Sequence, residues 1–529
     1  MADRDQPAPA AVAPAPQAAA QSGPMQGGQL AITALVLALG TFMQVLDTTI
    51  ANVSLPTIAG NLGVSTSQGT WVITAFAVAN GIGVPLTGWL MGRYGVVRTF
   101  VVSVLAFTVA SLLCGIAWSL PSLIFFRVLQ GGVSGPMIPG SQALLISIFP
   151  PNKRGTALGI WSITTLVAPI CGPILGGYIS DNYHWGWIFL INVPVGIVVG
   201  FLCWINLKER ETPTRKLPID TIGLALLVVW VGALQVMLDQ GKDLDWFSST
   251  QIVVLAIVTA IGFAAFLIWE LTEKNPVVDL SLFKGRNFAL GTLAFCLGYA
   301  VFFANNLLMP LWLQTQVGYT ATWAGLVAAP AGVVAVLLTP LAAKMMSRFD
   351  ARWVASLAFV AFGVSFLMRA NFTNQASFLD FVLPLLVQGI ALATYFLAMI
   401  TILLDGIPPQ KIPLASGLSN FARITGGGFA ASIVTTLWDR REALHQSRLA
   451  DQTTLFTPGL AEAVKNLHFF GLSDLAGKAV VTRNIVSQAY LLAANDIFWV
   501  SGWLCLIMIG MVWLCRRSIS GGGTHAAAD

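Results

Sequence analysis

The sequence predicts an all-α integral membrane protein with about fourteen transmembrane helices, arranged as two six-helix halves plus two inserted helices. Of its 529 residues, 56% are hydrophobic and only 10% are charged, whereas a soluble chain has about 25% charged residues. Apolar stretches of about 20 residues, long enough to cross a bilayer as helices, recur along nearly the whole chain. The short alternating segments of a transmembrane β-barrel are not seen in the sequence.

The distribution of basic residues supports this count of spans. The predicted spans cover residues 30–54, 70–90, 97–117, 121–147, 157–180, 187–207, 219–238, 251–271, 288–313, 323–343, 353–369, 378–404, 414–437 and 491–515. With the N-terminus inside, the short outside loops hold only Lys242 and Arg369 as basic residues, and the short inside loops hold many more. This asymmetry follows the positive-inside rule, so both termini are predicted to be cytoplasmic.

The first 28 residues and the cysteines narrow the class of protein further. Residues 1–28 are rich in Ala, Pro and Gln and lack the features of a cleaved signal, so we expect a disordered cytoplasmic tail. The six cysteines lie within or at the ends of apolar spans and are interpreted as packing residues rather than disulfides. The four histidines are scattered, so neither a metal site nor a bound cofactor is predicted.

An internal repeat runs through the chain at a constant offset of 258 residues (388 − 130). The Gln-Gly pair at Gln130 recurs at Gln388, and the segment 150–153 recurs as 408–411. Chance recurrence of short motifs is the alternative, but order, spacing and topological position all match. Two related halves around a midplane cavity are the architecture of alternating access, which predicts transport rather than catalysis.

The repeat divides the chain into five regions. They are a tail at 1–28, a six-helix half at 29–210, two inserted helices within 211–280, a second half at 281–515 that includes a long outside loop at 438–490, and a cytoplasmic tail at 516–529. The offset places Asn305 in the second half at the position of Asp47 in the first.

Asp47 and Arg127 are the candidate proton-coupling residues. Each stands inside an apolar span, where a charge is costly and usually faces a cavity, a partner or an ion path. A desolvated carboxyl group can exchange protons near physiological pH, and Arg127 can hold Asp47 ionised or be released when it is protonated. The alternatives are structural, with Asp47 tying two helices together and Arg127 bracing backbone carbonyls. Protons would be the coupling ion.

Glycine, proline and arginine motifs are the candidates for conformational change. They are Gly88, Arg93, Gly95 and Arg98 after the second span, Gln130 and Gly131 in the fourth, Pro169, Gly172, Pro173, Gly176 and Gly177 in the fifth, and Arg423 in the thirteenth. Small residues allow helices to approach closely and prolines bend them. Tight static packing, anchoring of the loop arginines by the positive-inside rule, and snorkelling of Arg423 to the membrane surface are the competing explanations.

Amide and aromatic side chains within the spans are the candidates for a substrate cavity. They are Gln44, Trp71, Asn80, Asn305, Asn306 and Tyr395. Apolar pockets with a few polar groups suit amphipathic ligands, although ordinary packing or interhelical hydrogen bonding is the alternative for each residue.

These motifs, in this order, resemble the fourteen-span drug:proton antiporter branch (DHA2) of the major facilitator superfamily. The segment 46–56, Arg127 with its Gln-Gly pair, and the glycine-proline motif of the fifth span carry the resemblance, and segments 237–247 and 417–423 are similar to the EmrB group of multidrug exporters. The resemblance implies the major facilitator fold and export of hydrophobic, drug-like molecules. It also implies a Gram-negative inner membrane, a periplasmic EmrA-type adaptor and an outer-membrane TolC-type channel.

Other function classes lack support in the sequence. The nucleotide-binding loop of a primary pump does not occur, and neither does a constellation of nucleophile, base and metal ligands. No feature of the sequence indicates binding to nucleic acid. The apolar spans are expected to be surrounded by membrane lipid. A passive channel would lack strict coupling to protons. Among transporters, the alternative is export of an endogenous metabolite such as a fatty acid or siderophore.

Overall fold

The computed structural model describes residues 23–150, 153–214, 220–273, 276–453, 462 and 473–518, and over these residues the regular secondary structure is entirely helical. The first helix begins at Gly27, close to the predicted start of the first span. The two predicted tails lie mostly outside the described residues.

The helices of the predicted first half are called the first helix set. They are α1 (Gly27–Asn61), α2 (Thr66–Gly69), α3 (Trp71–Gly83), α4 (Thr87–Tyr94), α5 (Val96–Gly115), α6 (Leu120–Ser134), α7 (Met137–Ile148), α8 (Arg154–Asn182), α9 (Trp187–Leu190) and α10 (Asn192–Leu207). Two further helices follow, α11 (Thr221–Gln240) and α12 (Thr250–Thr272). The second helix set is α13 (Arg286–Trp312), α14 (Ala321–Met346), α15 (Ala351–Arg369), α16 (Phe378–Leu404), α17 (Ile412–Gln452) and α18 (Asp474–Trp513).

Most of the predicted spans fall on helices that can cross a bilayer. Among the described helices, eleven are long and apolar enough, and the bent pair α3–α4 makes twelve. The predicted span 121–147 falls on α6 and α7, which are separated at Gly135 and Pro136 because proline lacks the N–H group that continues a helix. The predicted span 414–437 lies within α17, whose Gly, Ser, Thr and Asn residues lower its hydropathy. The count of fourteen stays a prediction.

Two broken helices face each other inside the first helix set. The pair α3–α4 bends by 55°, and the break between α6 and α7 lies beside it. A Cβ atom on Gly83 would come within 2.6 Å of the Gly132 carbonyl oxygen, and one on Gly135 would overlap the backbone of Gly83. These glycines are therefore required for the close contact between the two breaks.

The two helix sets pack in corresponding pairs. Helix α1 packs on α8 and α3 on α6, while α13 packs on α17 and α14 on α16. Helix α5 packs on α10, and its counterpart α15 packs on α18. The helices of each second-set pair are the counterparts of the helices in a first-set pair, either by the 258-residue offset or by their order along the chain. Contacts of α8 with α14 and of α17 with α7 join the sets.

The region predicted as a long outside loop, 438–490, is largely helical where it is described. Helix α17 continues to Gln452 and α18 begins at Asp474. A fall in hydropathy after Trp438 was expected to end the helix, but it marks only the end of the apolar segment. Residues 440–452 contain Arg, Glu, Ala, Leu and Gln, which all have high helix propensity, so the helix continues beyond the apolar part.

Candidate functional site

The centre of the first helix set contains a buried ion pair. Arg127 Nη1 on α6 lies 2.6 Å from Asp47 Oδ2 on α1, and the two side chains are 1% and 0% exposed. Helix α6 starts where Ser119 and Ser122 cap each other's backbone N–H groups, which fixes its first turn. Arg127 lies two turns further on, so it reaches the middle of the bundle. The two residues that the sequence predicted to interact are therefore in direct contact.

Amide and hydroxyl groups surround Asp47. Gln130 Nε2 and Asn192 Nδ2 donate to Asp47 Oδ1 at 3.0 and 2.8 Å. Gln130 also donates to the Ser111 hydroxyl group at 2.7 Å and accepts from Arg127 Nη1 at 2.7 Å. Sequence reasoning missed Asn192 and Ser111; an asparagine at the start of an apolar span was the available signal. The carboxylate is thus fully hydrogen-bonded in its ionised form.

The remaining contacts of Arg127 hold the guanidinium group in place. Its Nε donates to the Val72 carbonyl oxygen at 3.1 Å, and the Phe76 ring centroid lies 4.2 Å from its Cζ. Helices α3 and α6 can come this close because residue 131 is a glycine. A Cβ atom at this position would overlap the Phe76 carbonyl oxygen. Because a buried charge is stable only when it is paired, protonation of Asp47 would weaken this arrangement and free Arg127. The two side chains therefore depend on each other for a stable buried charge.

The glycine motif of the fifth span lies directly against the Asp47 segment. A Cβ atom on Gly172 would overlap the Thr49 side chain, and one on Gly176 would lie 2.9 Å from Ile50 Cγ1. A Cβ atom on Gly177, by contrast, would meet nothing within 4 Å. Two of the predicted glycines thus allow α8 to approach α1. Pro169 lies one turn earlier on α8 and is partly buried, while the Pro173 side chain lies outside what the structure describes.

The six predicted cavity residues do not gather in one place. Gln44 is buried one turn before Asp47, and its Oε1 has no hydrogen-bond partner in the described part of the chain. Trp71 is 37% exposed, and Asn80 donates to Ser134 Oγ at 2.7 Å. Asn305 and Asn306 line one small pocket of the second helix set.

Tyr395 is a packing residue rather than a cavity wall. It is fully buried, its hydroxyl group donates to the Phe295 carbonyl oxygen at 2.5 Å, and the Phe359 and Phe362 rings contact its ring. The interpretation of Tyr395 as a substrate contact finds no support in this geometry, because its polar atom is already bonded within an aromatic cluster.

The Arg423 side chain is buried inside the protein rather than extended to its surface. It is 5% exposed, and its guanidinium Cζ lies 4.5 Å from the Tyr299 ring centroid. Its Nε and Nη2 donate to Asn420 Oδ1 at 3.2 and 3.1 Å. Asn420 Nδ2 in turn donates to Gln142 Oε1 on α7 at 3.0 Å, so this chain of bonds crosses from the second helix set to the first.

The loop glycines after the second span make two different close contacts. A Cβ atom on Gly88 would overlap Leu414 of α17, so this residue lies between the two helix sets. Gly95 has a φ of +93° and lies against the Glu211 carboxylate. Arg93 Cζ lies 5.5 Å from the Trp89 ring centroid. Of these residues, Gly88 is therefore the one that lies at the contact between the two helix sets.

Glu211 is a further residue that sequence reasoning missed in this loop. Its carboxylate accepts from the backbone N–H groups of Val97 at 3.0 Å and Arg98 at 2.8 Å. It therefore caps the N-terminus of α5 from a distant part of the chain.

The predicted span 353–369 and helix α15 both end at Arg369, but the burial of its side chain was not predicted. Arg369 is the last residue of α15 and is 1% exposed. Its Nη2 donates to Ser365 Oγ at 3.2 Å and to Gln388 Oε1. A basic residue at the end of an apolar run was expected to point to the outside, but the long side chain of Arg369 turns back into the helix bundle.

The fold and this buried polar site together define a membrane transporter built from two related helix sets, and comparison with known proteins identifies its family. The model of the Major Facilitator Superfamily matches residues 37–432. The chain is 48% identical over 509 residues to the multidrug export protein EmrB of Escherichia coli K12, covering 96% of this chain and 99% of that protein. It is 47% identical over 503 residues to the fatty acid resistance protein FarB of Neisseria gonorrhoeae, covering 95% of this chain and 99% of that protein. This chain belongs to the major facilitator superfamily.

Solved structures agree on the fold. The proton:xylose symporter XylE, a superfamily protein, superimposes with a TM-score of 0.58 at 13% identity, covering 93% of this chain and 98% of that one. A bacterial homologue of the lysosomal transporter Spinster gives a TM-score of 0.51 at 16% identity. The protein is therefore a multi-pass membrane transporter with the all-helical major facilitator fold, and the expectation that it is not an enzyme follows from its family.

Proposed function

We propose that this protein exports hydrophobic or amphipathic, drug-like molecules across the bacterial inner membrane in exchange for protons. The support for drug export is its 48% identity, over nearly the whole chain, to a multidrug export protein. Export of a fatty acid is the second candidate, because a fatty acid resistance protein is 47% identical over a similar length. Both substrate classes combine an apolar body with a polar group.

The observation that carries proton coupling is the buried pair of Asp47 and Arg127. In the proposed cycle, substrate enters a central cavity from the cytoplasm or inner leaflet while Asp47 is ionised. The helix sets then rock, substrate leaves, and an incoming proton neutralises Asp47. The loss of its charge releases Arg127 and favours the return step. Each proton supplies about 2.3 kcal/mol per 100 mV, in addition to the pH gradient.

Contacts between the helix sets support the assignment of this structure to a state that is closed at one end. Gln142 bonds to Asn420, and Gly88 and Gly159 lie against Leu414 and Thr339 of the opposite set. This is the end of the bundle at which α1 begins, which we propose to be cytoplasmic. Alternating access requires these contacts to separate when substrate enters.

We further propose that both termini are cytoplasmic and that the protein works with an EmrA-type adaptor and a TolC-type outer-membrane channel. The charge asymmetry of the short loops supports the orientation. The resemblance to EmrB-type exporters supports the assembly. Single cysteines placed at Ser22 and Asp451 and labelled with an impermeant maleimide in whole cells test the orientation: labelling at Ser22 would overturn it.

Proton release from the purified protein tests the proposed coupling. A lipophilic uncoupler or a cationic dye is added in weakly buffered detergent, and wild type is compared with Asp47→Asn and with the exposed control Asp451→Asn. We expect release from wild type and the control, and none from Asp47→Asn. Unchanged release in Asp47→Asn would exclude Asp47 as the coupling group. Substrate binding without release in all three proteins would reject antiport.

A further inference from the structure

Arg369 is a buried cation without a carboxylate partner in the described part of the chain. Its side chain is 1% exposed, and no carboxylate of the described residues lies within 4 Å of it. Its Nη2 atom has two neutral acceptors, while its Nε atom has none. Arginine keeps its charge in proteins, and a buried charge is normally paired. The guanidinium group therefore has both an unmatched charge and a free donor.

A small pocket of the second helix set lies next to this guanidinium group. Its lining includes Arg369 and Asn305 together with the apolar side chains Met309, Val327 and Leu385. In the present state it has room for about one water molecule. Asn305 is fully buried, its Nδ2 donates to Ser501 Oγ at 2.9 Å, and its Oδ1 has no partner in the described part of the chain. The pocket thus combines a cation and an amide with an apolar wall.

The internal repeat shows what this pocket lacks. At the offset of 258, Asp47 corresponds to Asn305 (305 − 47) and Arg127 to Leu385 (385 − 127). Ser111 of α5 bonds to Gln130, and Arg369 at the end of the counterpart helix α15 bonds to Gln388. The second helix set therefore keeps the glutamine, places its cation on another helix, and has an amide where the first set has its carboxylate.

We propose that this pocket is a subsite for the carboxylate of a lipophilic substrate, with Arg369 as its cation. The proposal rests on the proposed export function and specifies its substrate class. A carboxylate accepts two parallel N–H bonds from one guanidinium group, which would use the free Nε donor. The apolar wall then contacts the start of the hydrocarbon chain. Since the pocket is small in this state, it must widen as the helix sets move.

Two ligands of equal chain length and opposite charge test the subsite. Equilibrium binding of radiolabelled decanoate and decyltrimethylammonium is measured on purified full-length protein in dodecyl maltoside. For Arg369→Gln we expect about tenfold to hundredfold weaker binding of decanoate, and unchanged binding of decyltrimethylammonium. Arg369→Lys keeps the charge but not the paired donors, so its affinity for decanoate should lie between those of the wild type and Arg369→Gln. Arg441→Gln, which removes an exposed arginine, is the matched control.

Asn305→Asp keeps the test decisive if Arg369→Gln does not fold. It places a carboxylate in the same pocket, so it should neutralise Arg369 and raise the unfolding temperature. It should also abolish the binding of decanoate and leave the binding of decyltrimethylammonium unchanged. Equal loss of both ligands in Arg369→Gln, loss of neither, or wild-type decanoate binding by Asn305→Asp would overturn the proposal. Proton release by the wild type is measured separately, so a failure of antiport is distinguishable from a failure of the subsite.

Discussion

The two helix sets carry corresponding buried polar clusters with different charge balance. In the first set, Asp47 and Arg127 form a complete ion pair that Gln130 bridges. In the second, Arg369 bonds to Gln388 and has no carboxylate partner in the described part of the chain. A complete pair can respond to a proton without a ligand, whereas an unmatched cation needs a ligand. The difference separates the proposed coupling site from the proposed substrate site.

The largest expected effect comes from breaking the complete pair on one side. Arg127→Gln leaves the Asp47 carboxylate buried without its cation, which costs about 3–5 kcal/mol. We expect a marked fall in the unfolding temperature, measured by differential scanning fluorimetry in detergent. The double variant Asp47→Asn/Arg127→Gln leaves no unpaired charge and should recover much of the loss. Equal stability of the single and double variants would contradict the ion pair as the source of the effect.

The glycines of α8 allow a sharper comparison within one helix. Gly172→Ala forces a Cβ atom into Thr49, and such overpacking costs about 1–3 kcal/mol. Gly177→Ala is the control, because its Cβ atom would meet nothing within 4 Å, and alanine favours the helix by about 0.5–1 kcal/mol. Transport rate and unfolding temperature should fall for Gly172→Ala only. A similar loss in both variants would mean that close packing against α1 is not what matters.

The caps of α5 and α15 show the same divergence on a smaller scale. Asp350 Oδ1 accepts from the Arg352 backbone N–H at 3.1 Å, and its Oδ2 lies 2.8 Å from Arg352 Nη2. Burial alone would raise the pKa of Asp350, but the hydrogen bonds and charge of Arg352 and the backbone N–H of Ser518 lower it below the ordinary value. At the N-cap of α5 in the first set stands Gly95, which has no side chain to accept these bonds, and Glu211 caps α5 instead.

Asp350→Ala should therefore cost about 1 kcal/mol at neutral pH because α15 loses its cap. A lowered pKa means that the ionised group stabilises the folded state above its unfolded pKa, and that this contribution is lost as pH falls through the folded value, below about pH 4. The stability difference between wild type and variant, measured by denaturant unfolding from pH 7 to pH 3, should shrink toward acid. A constant difference would show that the carboxylate charge does not contribute.

The smallest expected effect concerns the bond between the helix sets. Asn420→Ala and Gln142→Ala each remove one partner of the 3.0 Å hydrogen bond between α17 and α7. A double-mutant cycle on the free energy of unfolding should give a coupling of about 1 kcal/mol. If the bond holds the closed end shut, both variants also label faster at a cysteine introduced at Gly155, where a Cβ atom would make only ordinary contact with Ala343 of α14. A coupling of zero would remove this bond from the proposed gate.

Much of the molecule follows from the order of apolar, small and charged residues. Apolar runs of about 20 residues give the helices because backbone groups in lipid must bond within the chain. The cost of charge in hydrocarbon singled out Asp47 and Arg127, which lie in contact. The glycine motif predicted close packing of α8, although only the structure distinguishes Gly172 and Gly176, which touch α1, from Gly177, which does not.

Other features depended on contacts between distant segments, which no local pattern contains. The burial of Arg369 was missed because hydropathy records where an apolar run ends, not where a long side chain turns. Asn192 and Glu211 act on residues more than 100 positions away, so their roles emerge only when α10 and the following loop pack on the first helix set. The sequence by itself determined the helices, the repeat and the charges inside the membrane; the tertiary structure decided which charges are paired, because pairing depends on distances of a few ångströms between helices.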